Sequence, residues 1–175
     1  MPEMAVKVLE KGGVLIMPCD TIYGFVGKYP DSDGTIREIK GRGETKPFLV
    51  LSTESMIDRL SDQEIPEYLK KYWPGPLTLI IKGKSPGTSI AVRVPDDPVL
   101  LHLMESIDAP VFSTSVNRSG RPPLNKIEEI AGEFEFSVDM LVDGGDIEGG
   151  RPSTIVDVTS RPFKVLRQGS LLLDL

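Results

Sequence analysis

One cysteine, one histidine and one tryptophan are all that this chain of 175 residues has of those three types. A lone cysteine, Cys19, excludes an intrachain disulfide and any zinc site built on several cysteines. With His102 as the only histidine, seated between Leu101 and Leu103, a resident metal site is not expected, and His102 reads as structural. No apolar run reaches the roughly 18 residues that a spanning helix needs. The first apolar segment is broken by Lys7, Glu10 and Lys11, which is no signal-peptide pattern, so a cytoplasmic protein without a membrane partner is expected. The Gly-x-Gly-x-x-Gly fingerprint and the Walker A loop are both missing; Lys40-Gly41-Arg42-Gly43 satisfies neither. There is no internal repeat, low-complexity tract or long linker.

What is present is an ordinary globular composition, 39% hydrophobic and 26% charged, over a length that suggests a single domain across 1–175. The net charge of −6 favours solubility and speaks against a broad nucleic-acid surface, while leaving room for a local basic pocket. Short apolar runs alternate with amphipathic stretches. Strands are expected at Val14–Met17, Phe25–Gly27, Phe48–Leu51, Leu77–Ile81, Ile90–Val94, Val111–Val116, Val138–Val142, Thr154–Val158 and Lys164–Arg167. Helices are expected before Gly12-Gly13, over Thr35–Lys40, after Ser52, after Ser61 with Glu64 completing a capping box, from Asp96 or Asp97, and after Asn125 with Glu128 as its partner. The mixed order points to an α/β fold, an open twisted sheet of parallel and antiparallel pairs with flanking helices.

Three strand ends open into polar turns, where such sheets build ligand sites. The first is Pro18-Cys19-Asp20-Thr21-Ile22-Tyr23-Gly24, the second Ser113 to Asn117, the third Arg151-Pro152-Ser153-Thr154. Ser113, Ser115 and Asn117 alternate and so share one strand face, where Asn117 would be able to read an adenine edge; equally, these side chains would cap the adjacent loop. Lys40 and Arg42, beside glycines, suit phosphate oxygens if both face one cleft, or else form a solvated basic loop with Lys46. Arg93 lies on the opposite strand face from Val92 and Val94. Tyr23 would frame a small substrate or serve as a core ring, and Cys19 reads better as a buried structural thiol than as a nucleophile. No acid/base pair stands out, which fits chemistry driven by positioning and charge stabilisation.

The ordered set of these segments resembles the YrdC/Sua5 family, the threonylcarbamoyl-AMP synthases. Pro18 to Gly24 is similar to its Pro-Thr-Asp-Thr-x-Tyr-Gly opening, with Cys19 in place of the first threonine. Lys40-Gly41-Arg42, Trp73 to Thr78, Arg93-Val94-Pro95, Ser115-Val116-Asn117 followed by Ser119-Gly120, Pro152 to Ile155, and Leu166 to Gly169 continue the match across nearly the whole chain. The resemblance implies a YrdC-like sheet around a large concave crevice. It implies synthesis of threonylcarbamoyl-AMP and pyrophosphate from L-threonine, bicarbonate or carbon dioxide, and ATP carried with Mg²⁺. It also implies a downstream transferase complex that delivers the threonylcarbamoyl group to adenosine 37 of tRNA. By the same resemblance Lys40 and Arg42 would hold ATP phosphates and stabilise pyrophosphate. Ser115, Asn117, Ser153 and Arg167 would meet the nucleotide; Thr21 and Tyr23 would border threonine and the carbamate, with Thr21 also counted as catalytic; Thr78 and Arg93 would lie in the crevice floor. The chain looks like the short form without the extra C-terminal domain. The alternatives are an RNA-binding YrdC-like paralogue without synthase activity and a carbamoyl-transfer module of the hydrogenase-maturation type.

Overall fold

Among the described residues, nine strands make one sheet in the order β7-β1-β2-β6-β3-β5-β4-β8-β9. They are β1 (Val14–Pro18), β2 (Tyr23–Lys28), β3 (Leu49–Leu51), β4 (Leu77–Lys82), β5 (Ser89–Arg93), β6 (Val111–Ser115), β7 (Met140–Leu141), β8 (Thr154–Asp157) and β9 (Lys164–Arg167). The helices are α1 (Pro2–Glu10), α2 (Asp33–Lys40), α3 (Ile57–Leu60), α4 (Glu67–Lys70), α5 (Pro98–Ser106) and α6 (Ile127–Phe134). The structure, a computed structural model, describes residues 2–43, 47–148 and 150–173. Three pairs are parallel, β1–β7, β3–β5 and β4–β8, and the rest antiparallel, which is the mixed sheet that the sequence order suggests.

Strand alternation divides the core into two layers. Val14, Ile16, Phe25, Val50, Leu79, Val92, Phe112 and Val156 point to one face, where Ile36 and Ile39 of α2, Ile57 and Leu60 of α3, Leu69 of α4, and Ile130 and Phe134 of α6 cover them. Leu15, Met17, Val26, Leu51 and Val111 point to the other face, and only α1 and α5 cover it, through Ala5, Leu9, Leu100, Leu103 and Met104. Among the described residues the sheet therefore meets helices more fully on the first face than on the second.

Local chemistry explains where the helices depart from expectation. Asp97 does cap α5, accepting from the Val99 and Leu100 amides at 2.9 and 3.1 Å. The box expected at Ser61 and Glu64 does not form: Ser61 accepts from the Gln63 amide instead, and α4 begins only after Pro66. Proline disfavours helical backbone at the preceding residue, so a helix cannot run through Ile65. The Ser52 hydroxyl donates to the Thr53 carbonyl, and a 3-10 turn, Glu54–Met56, precedes α3. Asn125 is not a cap either; α6 starts after Lys126, and Asp146 from a distant loop accepts from the Ile127 amide at 3.0 Å. The tail packs back on the body, with Leu173 buried and the Leu171 carbonyl accepting from the Thr154 hydroxyl.

The covered face is sealed by an edge-to-face pair, Phe25 and Phe134, with ring centroids 5.1 Å apart. Both rings are fully buried. Phe134→Ala is expected to lower the unfolding free energy by about 3–5 kcal/mol, read from urea denaturation midpoints; a loss below about 1 kcal/mol would mean that α6 does not close this layer.

Candidate active site

The half of the second face that α1 and α5 leave bare is the floor of a cleft of about 450 Å³. Cross-strand partners share a face, so Leu49, Ala91 and Ser113 lie in one row, and Ser115 beside Gly24 lies in the next. Arg93 pairs with Leu51, and Arg167 pairs with Ile155, which pairs with Thr78. The walls come from the β1–β2 turn (Cys19, Thr21, Ile22), the segment after α2 (Arg42, Pro47, Phe48), Pro123 and Asn125 beyond β6, and Gly150, Pro152 and Ser153 before β8. Gly150 is packed against the Thr21 carbonyl so closely that a Cβ would overlap it. Only glycine lets these two walls meet.

Lys40 and Arg42 part company at the end of α2. Gly41 takes a left-handed conformation, φ 60°, and its amide and that of Arg42 bond back to Glu38 and Arg37. The turn sends Lys40 under the cleft and Arg42 into its wall. Lys40 is 1% exposed. Its ammonium donates to the Ser115 carbonyl, to the Asn117 carbonyl at 3.1 Å and to the Asn117 side-chain oxygen at 2.9 Å. Three donors meet three acceptors, so the expected side-by-side pair of phosphate cations is replaced by one buried tie and one cleft cation. Burial, with the nearby Arg42 charge, pulls the Lys40 pKa down to about 8. Arg42 lies over the Phe48 ring at 4.8 Å and donates from one terminal nitrogen to the Pro47 carbonyl, and its buried Nε has no partner among the described residues. Lys46 lies outside the described residues.

Arg93 crosses the floor, 3% exposed, and its guanidinium meets the Asp20 carboxylate at 2.6 Å. Burial pushes the Asp20 pKa up against the pull of Arg93. The sequence reading passed over Asp20; the signal was an acid beside the motif's polar side chains, facing an arginine on a strand that carries no other charge. Arg93 Nε has no partner among the described residues. Arg167 donates to the Ser153 carbonyl at 3.0 Å and to its hydroxyl at 3.3 Å. Ser153 also shares a 2.8 Å hydrogen bond with Thr78, so Thr78 sits beneath Ser153 and does not line the cleft.

Two expected ligand contacts point elsewhere. Tyr23 belongs to the covered face; its hydroxyl donates to the Gly145 carbonyl and accepts from the Gly144 amide, at 2.8 and 2.9 Å. Asn117 lies past the end of β6. Its amide nitrogen donates to Arg118 and Arg121 carbonyls, and its oxygen accepts from Lys40 and Ser115. The Asn117 amide is thus filled by the turn that it closes, with no hydrogen-bonding capacity left for a base. Thr21, Arg42, Arg93, Ser115, Ser153 and Arg167 are brought together in the cleft; Lys40, Tyr23, Thr78 and Asn117 form its supports. Cys19 lines the floor at its edge, its thiol pushed up to about 12 by burial, which keeps it protonated at neutral pH.

A larger hollow, about 590 Å³, lies on the covered side between Ile57, Ile65 and Trp73. Its rim carries Glu54, Asp58, Asp62 and Glu64, with Lys84 paired to Asp62 at 3.2 Å. None of the polar strand ends reaches it. The smaller cleft is the better site, because it gathers three guanidiniums with hydroxyls from three separate segments.

The supports and the floor make distinguishable claims. Lys40→Met takes the ammonium away from the Ser115 and Asn117 carbonyls and leaves the Asn117 side-chain oxygen with the Ser115 hydroxyl alone; it is expected to lose about 1–3 kcal/mol of unfolding free energy, measured in urea, and an unchanged midpoint would remove the tie. Cys19 is expected to resist iodoacetamide at pH 8 in the native protein and to react fully in guanidinium, followed by mass spectrometry; rapid native labelling would contradict its burial.

A family model described as Telomere recombination, which groups Sua5, YciO and YrdC, matches residues 7–169. The threonylcarbamoyl-AMP synthase of Pyrococcus abyssi is 30% identical over 186 residues, which cover 98% of this chain and 54% of that protein. The structure of P. abyssi Sua5 complexed with L-threonine matches with a TM-score of 0.85 at 29% identity, over 97% of this chain and 54% of that one. E. coli YciO matches with a TM-score of 0.84 at 28% identity, over 97% of this chain and 89% of that one. The chain spans about half the length of the first curated relatives it matches. The family match runs from α1 to the residue after Gln168 and so takes in every wall of the cleft; this chain belongs to the Sua5, YciO and YrdC family.

Proposed function

We propose that this chain makes threonylcarbamoyl-AMP from L-threonine, bicarbonate and ATP. The observation that carries the reading is the convergence of Arg42, Arg93 and Arg167 with Thr21, Ser115 and Ser153 on the bare half of the sheet. A site that, among the described residues, brings three guanidiniums together and pairs the Asp20 carboxylate to Arg93 suits ligands rich in anionic oxygen. The P. abyssi relative's name and the L-threonine in the Sua5 complex supply the substrate class.

The reaction balances in two steps. The neutral amine of threonine attacks bicarbonate, a C–N bond forms and water leaves, giving the carbamate. A carbamate oxygen then attacks the α-phosphorus of ATP, and the α–β bridging P–O bond breaks to release pyrophosphate. Negative charge develops on the leaving pyrophosphate. Arg42 is the cation of the cleft wall, with a free Nε, and takes that charge in this reading. Arg93, held flat by Asp20, and Thr21 face the amino acid and its carbamate. Arg167 and Ser153 flank the nucleotide, Ser115 adds a hydroxyl, and Lys40 keeps Ser115 and Asn117 in position from below. In this reading Mg²⁺ arrives with the triphosphate and, bound there, would neutralise phosphate charge. The adenylate then passes to a separate transferase complex acting on adenosine 37 of tRNA.

The purified chain is incubated with ATP, Mg²⁺ and bicarbonate, with and without L-threonine, and pyrophosphate and adenylate are separated and counted. Threonine-dependent product is expected. Arg42→Ala is expected to lower turnover about a hundredfold with a native thermal midpoint. No product under any condition, together with tight tRNA binding, would replace this reading with that of an RNA-binding relative.

A further inference from the structure

Four buried side-chain polar atoms lack any hydrogen-bond partner among the described residues: Ser32 Oγ, Arg42 Nε, Arg93 Nε and Asn125 Oδ1. A buried unsatisfied polar group costs stability, so each calls for a reason. Three of the four belong to residues that line the cleft. The two guanidinium nitrogens are donors and match the anionic oxygens of the proposed substrates. Asn125 Oδ1 is different. It is an acceptor, and an anion does not satisfy it; the ligand itself has to bring an N–H or O–H.

The position of Asn125 is fixed by its backbone and not by its side chain. The neighbouring Leu124 amide bonds to the Val116 carbonyl just past β6, and the Asn125 carbonyl accepts from the Ile147 amide at 3.0 Å. The side chain neither caps α6 nor bonds to any described residue, so its amide nitrogen also has no described partner. It stands in the cleft beside Pro123, beyond the strand end that carries Ser115.

We propose that Asn125 reads the adenine base of the nucleotide. An amide offers one acceptor and one donor side by side, and the adenine edge offers the complementary amino donor and ring-nitrogen acceptor. This inference rests on the proposed function and deepens it by assigning base selection. The role cannot fall to Asn117, whose amide is filled by Lys40, Ser115, Arg118 and Arg121. The ribose hydroxyls and the threonine amine or hydroxyl are the competing donors, and they differ from adenine in how they respond to changes at purine position 6.

The test uses ATP and the triphosphate of purine riboside, which lacks only the 6-amino group, titrated by calorimetry with Mg²⁺ against wild type, Asn125→Ala and Asn125→Leu. Wild type is expected to bind ATP about tenfold more tightly than the purine analogue, and both variants to lose that preference by weakening ATP alone. Because the amide oxygen is unsatisfied in the free protein, both variants are also expected to melt at or above the wild-type temperature. A merely structural asparagine would move stability and affinity down together. Equal loss for both nucleotides, an intact preference in the variants, or weakened L-threonine binding with ATP unchanged would overturn the assignment and leave the synthase reading standing. Failure of wild type to bind ATP at all would overturn both.

Discussion

A buried ammonium without a carboxylate partner among the described residues holds the site together. Lys40 reaches from the end of α2 to the end of β6 and ties down the Ser115 and Asn117 carbonyls and the Asn117 amide. Taking a charge out of water costs several kcal/mol, and burial, with the Arg42 charge nearby, lowers the Lys40 pKa accordingly. Three charge-assisted hydrogen bonds offset that cost and fix geometry in return. The Ser119 amide bonds to the Lys40 carbonyl, and Arg118 bonds to the Ile39 carbonyl, so the helix end and the turn past β6 are laced from both sides. Once Lys40 is pinned below, the left-handed Gly41 leaves Arg42 only the upper direction.

The second constraint is the uneven coverage of the sheet. Helices α2, α3, α4 and α6 close one face; α1 and α5 close the other only over β1, β2, and the Leu51 and Val111 end of β3 and β6. An uncovered sheet face of aliphatic side chains would be a sticky patch. Here Ser113, Ser115, Arg93 and Arg167 share the uncovered face with Leu49 and Ala91, so polar and charged side chains interrupt the aliphatic row. The same alternation that buries Val92 and Val94 aims Arg93 outward, so sheet geometry and site chemistry are one pattern read at two phases.

The mixed sheet, the strand positions and the segments that wall the cleft were legible because period-2 alternation and proline or glycine punctuation are local signals. The match of Asp20 to Gly24, Arg93, Ser115, Ser153 and Arg167 to a known family pattern was legible for the same reason: order along the chain survives folding. What lay beyond reach is what three-dimensional pairing decides. Lys40 and Arg42 are two residues apart and look alike in a list of cations, yet one turn of backbone sends them to opposite sides of a wall. Asn117 extends the Ser113 and Ser115 alternation, but β6 ends at Ser115 and Asn117 turns away. Asn125 has the spacing of a helix cap, and an aspartate 21 residues later, Asp146, takes that amide from across a loop. Tyr23 alternates onto the covered face, which no reading of its hydroxyl alone reveals.

Charge distribution bears on what kind of ligand the cleft accepts. The chain carries −6 overall, while among the described residues the cleft gathers Arg42, Arg93 and Arg167, with the Asp20 carboxylate paired to Arg93. At physiological salt, surface fields fade over about 8 Å, so a compact polyanion entering the cleft meets mostly the local cations. An extended polyanion lying across the surface also meets the acidic remainder, including the rim of Glu54, Asp58, Asp62 and Glu64. Low-dielectric walls such as Phe48, Leu49 and Pro152 strengthen the local field further. The layout therefore favours a small, highly charged ligand held by fixed guanidiniums over a long nucleic acid spread on the exterior. A nucleotide triphosphate is the size and charge for which such a contrast between inside and outside is most useful.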